Sequence, residues 1–421
     1  MKRIAAGILL FALFLFLAFN KHSKDDYRSY RSVLWADASG YHVYNPIWFI
    51  YGNNCSQMPD SVNYKTGTGF SFNENTKRII TKYTSGVAIL QAPFFLTAHL
   101  LAAPLGFEPN GFSPIYHGAI MIAGALYGLL GLLFSFLFLK RFFSEKISLL
   151  TVGIFFLCTN LYYYTLDASG FLHVYSFFLI AAVTWLTTKI YETPTTKYIL
   201  PFFFALSLAI LIRPTNVVLL IFVLCFDVKT NFQDRLVFLK SNFKHFIHPA
   251  LLSLIVFIPQ LIYWKQSYGS AIVYSYGDEG FSFLLNPKLI LVWFSTNNGL
   301  FTYAPILIIS VIGMITALLQ KNSNGILILF MFLLTSYIFS SWWNYWFGCA
   351  LGARSFVEYY SLFMYPFTLL LSQIKNKVAW FSFFTFCLIC AFINMNIIYY
   401  YDGCFYGGEW DWNTYFSLVT D

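Results

Sequence analysis

Charge is what this sequence lacks most. Asp, Glu, Lys and Arg make up 10% of its 421 residues, against about 25% in an ordinary soluble domain. A water-soluble globular enzyme is excluded on that ground. Disorder is excluded as well, because 58% of the residues are apolar and 21% aromatic, and disordered chains are poor in both. Cysteine is sparse, with seven residues and no paired Cys-x-x-Cys array of the kind that holds structural zinc. Cys387 and Cys390 have that spacing once, inside an apolar run, and read as small core residues. A cleavage site is missing too. The apolar run 4–19 is followed by Phe19-Asn20-Lys21-His22 rather than by small residues, so it reads as an uncleaved first span with its N-terminus inside.

What remains is a multi-pass helical membrane protein. A span needs about 20 apolar residues. After the first, candidate spans lie at 115–139, 147–164, 172–188, 199–212, 215–226, 247–264, 300–320, 325–341, 357–373 and 378–400, about eleven in all. The segment 85–103 is apolar and long enough to cross, yet it contains Gln91, Pro93 and His99. The distribution of positive charge decides its reading. If 85–103 lies flat, the N-terminus and loops 140–146, 189–197, 228–246, 321–324 and 374–377 share one side and hold fourteen Lys and Arg. The short segments opposite, after residue 114, hold only Arg213, Lys265, Lys288 and Arg354. If 85–103 crosses, the positive-inside rule is broken. It therefore reads as an interfacial or re-entrant helix. Arg213-Pro214 reads as a tight outer turn, because proline disfavours helical backbone at the residue before it.

The expected fold is an all-α polytopic membrane protein forming one integral membrane domain over 1–421. Residues 1–20 form the first span and 21–114 a long first outer loop carrying the interfacial helix 85–103. The remaining spans occupy 115–400, with an outer tail at 401–421. The net charge of +8 is then inner-leaflet anchoring, and nucleic acid is not an expected partner; membrane lipids are. Fourteen of the eighteen acids fall outside or at outer span ends.

Several ionisable groups sit at outer ends in apolar or aromatic surroundings, where such groups mark functional sites by default. They are Asp37 in Leu-Trp-Ala-Asp-Ala-Ser-Gly-Tyr-His, Lys82 before Tyr83-Thr84-Ser85-Gly86, and Asp167 with His173 in Asp-Ala-Ser-Gly-Phe-Leu-His. The others are Arg213 and, after an aromatic stretch containing Trp343 and Trp346, Arg354 with Glu358. Each has a plainer reading. Asp37 suits a turn or N-cap, and Asp167 a helix cap. Lys82 and Arg213 suit snorkelling, His173 a hydrogen-bonded bundle residue, and Arg354 with Glu358 a local i, i+4 ion pair.

Taken together, a carboxylate, two or three cations and aromatic surroundings in a lipid-facing bundle point to sugar transfer from a polyprenyl-phosphate carrier. The leaving phosphate needs Arg or Lys. The attacking hydroxyl needs a base such as Asp, and the sugar carbon passes through a cation-like state.

On these residues the chain resembles the GT-C superfamily of polyprenyl-phosphate-sugar glycosyltransferases, near its protein O-mannosyltransferase and lipid A aminoarabinose transferase branch. The resemblance covers most of the first 230 residues. It implies Asp37 as general base within Asp-Ala-Ser-Gly-Tyr, although the adjacent Asp-Glu pair of many members is Asp37-Ala38 here. It implies Lys82, with Tyr83, as a phosphate-side contact, in a segment that lacks the family's adjacent prolines. Asp167 resembles a second acidic position, with His173 following. Arg213-Pro214 and the run Gly352 to Tyr360 resemble later outer segments. The expected roles are Asp37 and Asp167 as catalytic residues, with Lys82, Tyr83, His173, Arg213, Trp343, Trp346, Arg354 and Glu358 binding substrate. No metal is required, though Asp167 with His173 could join in holding a divalent ion. The acceptor would be a glycan, glycolipid or protein hydroxyl. The location implied is a bacterial inner membrane with the site facing the periplasm. Outer Cys55, Cys349 and Cys404 are candidates for disulfides there. The competing readings are a transporter or flippase of lipid-linked sugars, and a non-catalytic envelope-assembly subunit.

Overall fold

A computed structural model describes residues 2–58, 66–67, 69–73, 75–227, 232–401 and 411–420. Helices dominate the described structure, and the strand pairing among those residues is one antiparallel hairpin, Ser71–Asn73 with Arg78–Ile80. An all-α polytopic membrane protein is what these elements build. Among the described residues seven helices are long and apolar enough to cross a bilayer: Ala5–His22, Gly86–Leu105, Pro114–Leu139, Leu172–Glu192, Phe243–Tyr268, Ser323–Ser340 and Lys377–Tyr400. Four more, Thr196–Ile212, Pro214–Cys225, Leu307–Leu319 and Tyr360–Ser372, are apolar but shorter.

Two expected spans are interrupted. The segment 147–164 divides into Glu145–Leu157 and Leu161–Leu166. At the break, the Asn160 amide donates to the Leu351 carbonyl at 2.8 Å and its oxygen accepts from Tyr360 Oη at 2.7 Å. The segment 300–320 breaks at Ala304-Pro305, leaving Leu300–Tyr303 and Leu307–Leu319. The chain turns at Arg213-Pro214. Arg213 is extended at φ −145°, Asn216 folds back to donate to Ala209 O at 3.0 Å, and Phe226 reaches Phe138 and Phe142 at the far end of Pro114–Leu139.

Close helix contact comes from small residues, as expected where lipid offers no hydrophobic drive to associate. Gly124, Gly128 and Gly131 lie along one face of Pro114–Leu139. A Cβ at these positions would collide with Ser169, Thr165 and Phe177 respectively.

The bundle has two distinct ends. One carries Lys140, Arg141, Lys189, Lys197, Lys321, Lys375 and Lys377. There Arg141 and Lys189 both pair with Glu192, and Arg235 lies 3.2 Å over the Tyr191 ring. At the other end His22, His173, Arg213, Phe339 and Tyr400 line a single large cavity. These residues sit at the opposite termini of the same helices.

Helix Gly86–Ala102 packs alongside the first half of Pro114–Leu139, where Leu90 O accepts from Tyr127 Oη at 3.0 Å and Phe94 meets the Tyr127 ring. Gly86 abuts Ile212, the last residue of its helix, and Gln91 meets Tyr175 near the start of Leu172–Glu192. Tyr116, at the start of Pro114–Leu139, packs on Phe95 and His99. Gly118, two residues further, faces Phe19 at the close of the first helix. Both ends of Gly86–Ala102 are thus on the cavity side, although its length and hydropathy match those of a span.

Asp37 opens the short helix Asp37–His42, held over the cavity by a crowded turn. Ala36 has φ 49° and ψ −122°, a region suited to glycine. Its N–H donates to Thr66 O at 2.8 Å. A Cβ at Gly69 would collide with the Ala36 carbonyl, and one at Gly40 with the Gly69 carbonyl and the Tyr83 ring. Ala36→Gly should therefore stabilise the protein by about 1 kcal/mol through relief of strain, while Gly69→Ala should destabilise it by more than that. Thermal unfolding in detergent checks both, and a lower midpoint for Ala36→Gly would contradict the strain.

Candidate active site

The cavity has a volume of about 1270 Å³. Asp37, Lys82, Tyr83, Asp167, His173, Arg213, Trp343 and Arg354 all line it. Eight of the ten residues singled out from the sequence thus share one wall system, although they come from separate helices and loops. Glu358 and Trp346 are not on that wall. Glu358 is fully buried behind it, and the Trp346 carbonyl accepts from Asn298 at 2.9 Å.

Asp37 is the centre of the arrangement. Its Oδ2 lies 3.0 Å from Arg354 Nη2, and its Oδ1 accepts from Tyr83 Oη at 2.5 Å. Burial disfavours its charge, but Arg354, Tyr83 and Lys82 outweigh that and hold the carboxyl below its usual range. Burial first, and then the Asp37 charge, push the Tyr83 phenol well above its ordinary value, so Tyr83 remains a donor. Asp37 occupies the first position of its helix with Ala36 at the N-cap, so a capping role is not what its side chain performs.

Arg354 and Glu358 do not form the local i, i+4 pair. Arg354 turns to Asp37, and Glu358 Oε1 meets Arg213 Nη1 at 2.7 Å. The Arg213 guanidinium also stands over the Phe339 and Phe347 rings, 5.8 and 5.9 Å from their centroids. It is largely enclosed, with 16% of its side chain exposed.

Lys82 has a partner the sequence reading missed. Its Nζ lies 2.5 Å from Glu279 Oε1 and sits over the rings of Tyr83 and Tyr276. Glu279 and Tyr276 line the cavity from the segment after Gly269. The signal was the run Tyr-Gly-Asp-Glu-Gly at 276–280, two acids between glycines in an aromatic outer segment. Lys21 and Tyr41 are two further lining residues not singled out.

Asp167 and His173 do not act as a pair. The short turn 167–171 separates Asp167 from the following helix, so it sits at the C-terminal cap of Leu161–Leu166 rather than at an N-cap. Its carboxylate faces Lys21 at 3.8 Å, and its carbonyl is 2.9 Å from His22 Nε2. His173 Nδ1 is instead 3.3 Å from Glu358 Oε1. Among the described residues no group of three His, Cys, Asp or Glu stands close enough to hold a metal ion.

Of the outer cysteines, Cys349 is disulfide-bonded. Cys404 and the side chain of Cys55 lie outside the described residues. Cys387 and Cys390 are free and buried.

No protein-family model matches the chain, and no curated protein matches it. The functional reading therefore rests on these residues and their geometry.

Asp167 carries a pH dependence. Burial pushes its carboxyl up from an ordinary 3.8 to about 7, against the pull of Lys21. The folded chain then binds that proton more tightly than an unfolded one. The stability this contributes is full below the ordinary value and is lost as pH rises through about 7. The unfolding midpoint of the wild type should fall between pH 5 and pH 8, and that of Asp167→Asn should fall less. Equal falls would contradict this assignment.

Proposed function

We propose that the chain is a membrane glycosyltransferase of the GT-C kind. It moves a sugar from a polyprenyl-phosphate carrier to a hydroxyl on a glycan, glycolipid or protein at the outer face of the membrane. The observation that carries this reading is one cavity, at the bundle end away from the basic loops, where Asp37, Arg354, Lys82 and Arg213 share an aromatic-walled space with Asp167, Glu279 and Lys21. On this reading the bundle has about eleven spans, Gly86–Ala102 lies flat at the outer interface, and the membrane is a bacterial inner membrane.

Arg354, Lys82 and Arg213 hold the carrier phosphate, Arg by two parallel N–H donors where geometry allows. The acceptor oxygen bonds to the anomeric carbon as the carbon–oxygen bond to phosphate breaks, and that electron pair leaves on the phosphate oxygen. The acceptor proton passes to the Asp37 carboxylate. A carboxylate held below its usual range suffices, because a hydroxyl bonding to a cation-like carbon becomes strongly acidic. When phosphate takes Arg354, Asp37 loses its nearest positive charge and becomes a stronger base. Tyr276, Trp342 and Trp343 offer faces on which a sugar ring can stack. Asp167 with Lys21 orients the acceptor or sugar. The steps need no metal.

A host lacking the gene, complemented with wild type or Asp37→Asn, tests this by mass spectrometry of its envelope glycans and glycolipids. One hexose, pentose or amino-sugar increment should be absent with Asp37→Asn at equal protein level, with transfer reduced at least about 100-fold. The transferred sugar should carry the inverted anomeric configuration. Full restoration by Asp37→Asn, or a retained configuration, would sink the mechanism. Restoration would favour a transporter or a scaffold.

A further inference from the structure

Glu358 was expected to touch substrate, but it lies behind the cavity wall with no exposed surface. Its surroundings are built with care. Oε1 receives Arg213 at 2.7 Å and His173 Nδ1 at 3.3 Å. Oε2 accepts from the Asn216 amide at 3.4 Å. Asn216 is itself fixed, since it donates to Ala209 O at 3.0 Å and accepts from Tyr359 Oη at 2.6 Å. Every member of this chain except Arg213 and His173 is off the wall. Arg213 Nη1 is close to the carboxylate, yet its N–H directions do not meet it in a hydrogen bond. The guanidinium is thus anchored by charge and by two rings, Nη1 is enclosed without a hydrogen-bond acceptor, and 16% of the side chain is left exposed at the cavity wall.

We propose that Glu358, set by Asn216 and Tyr359, is a positioning residue that fixes the Arg213 guanidinium as a phosphate clamp in the cavity wall. The inference rests on the carrier-phosphate reading above. It assigns Glu358 no contact with substrate.

The sign of the effect separates this role from a simple countercharge. A carboxylate beside Arg213 offsets part of the positive potential that draws phosphate. If that were all Glu358 did, Glu358→Gln would tighten phosphate binding. If it positions Arg213, the same change frees the guanidinium to turn away, and binding weakens despite the gain in net positive charge.

The test uses full-length protein in nanodiscs, with undecaprenyl phosphate as the probe and quenching of cavity tryptophans as the readout. Wild type should bind, and Glu358→Gln should bind at least about tenfold more weakly. Arg213→Ala should weaken binding, and adding Glu358→Gln to it should change nothing further. Tyr359→Phe, a milder change that keeps both charges, should weaken binding in the same direction and serves if Glu358→Gln fails to fold. Unchanged or tighter binding by Glu358→Gln or Tyr359→Phe, or a loss that adds to that of Arg213→Ala, would overturn the positioning role alone. A wild type that does not bind the probe would overturn the carrier-phosphate reading and this inference with it.

Discussion

Two crossed ion pairs govern the cavity end of this molecule. Arg354 and Glu358 lie four residues apart, the spacing at which opposite charges on a helix usually satisfy each other. They do not. Arg354 reaches Asp37, and Glu358 reaches Arg213 at the end of Thr196–Ile212. One short stretch of chain therefore ties the segment around Asp37 to the bundle and anchors a cation from a distant helix. Glu358 has no exposed surface, so its pair has to be complete, because a buried charge without its partner is strongly destabilising. The turn at Ala36, the bare faces of Gly40 and Gly69 and the Tyr83 hydroxyl all serve to bring Asp37 to Arg354.

The same crossing makes the site responsive. Asp37 and Arg354 neutralise each other, yet 27% and 13% of their side chains face the open cavity. An anion entering there competes with Asp37 for Arg354, and with Glu279 for Lys82. Glu358, with no exposure, is out of reach of such competition, so the Arg213 anchor persists. The proposed chemistry draws on this division between one cation held fixed and two that a phosphate can take over.

Much of this was legible in the sequence. A chain with so little charge has few candidates, and Asp37, Lys82, Asp167, His173, Arg213 and Arg354 stood out as ionisable residues in apolar or aromatic runs. Each lines the cavity. Pairing was not legible. Nothing in the sequence says that Arg354 looks 317 positions back to Asp37 rather than four positions on to Glu358, because that choice is made by helix packing. Glu279 was passed over because its segment reads as an ordinary outer connector. The breaks at Asn160 and Pro305 were hidden inside apolar runs. Helix Gly86–Ala102 shows the converse. Its length and hydropathy match those of a span, and only the charge of the surrounding loops argues for a different placement.

The central claim is that this cavity receives a carrier phosphate beside Asp37. The most direct measurement is an experimental structure of the full chain in nanodiscs with undecaprenyl phosphate. The account predicts phosphate density within hydrogen-bonding distance of Arg354 and Arg213, the Arg354–Asp37 contact lengthened, and the lipid chain leaving between the helix ends. Density for the lipid elsewhere on the bundle, with Asp37 still paired to Arg354 in an empty cavity, would contradict it.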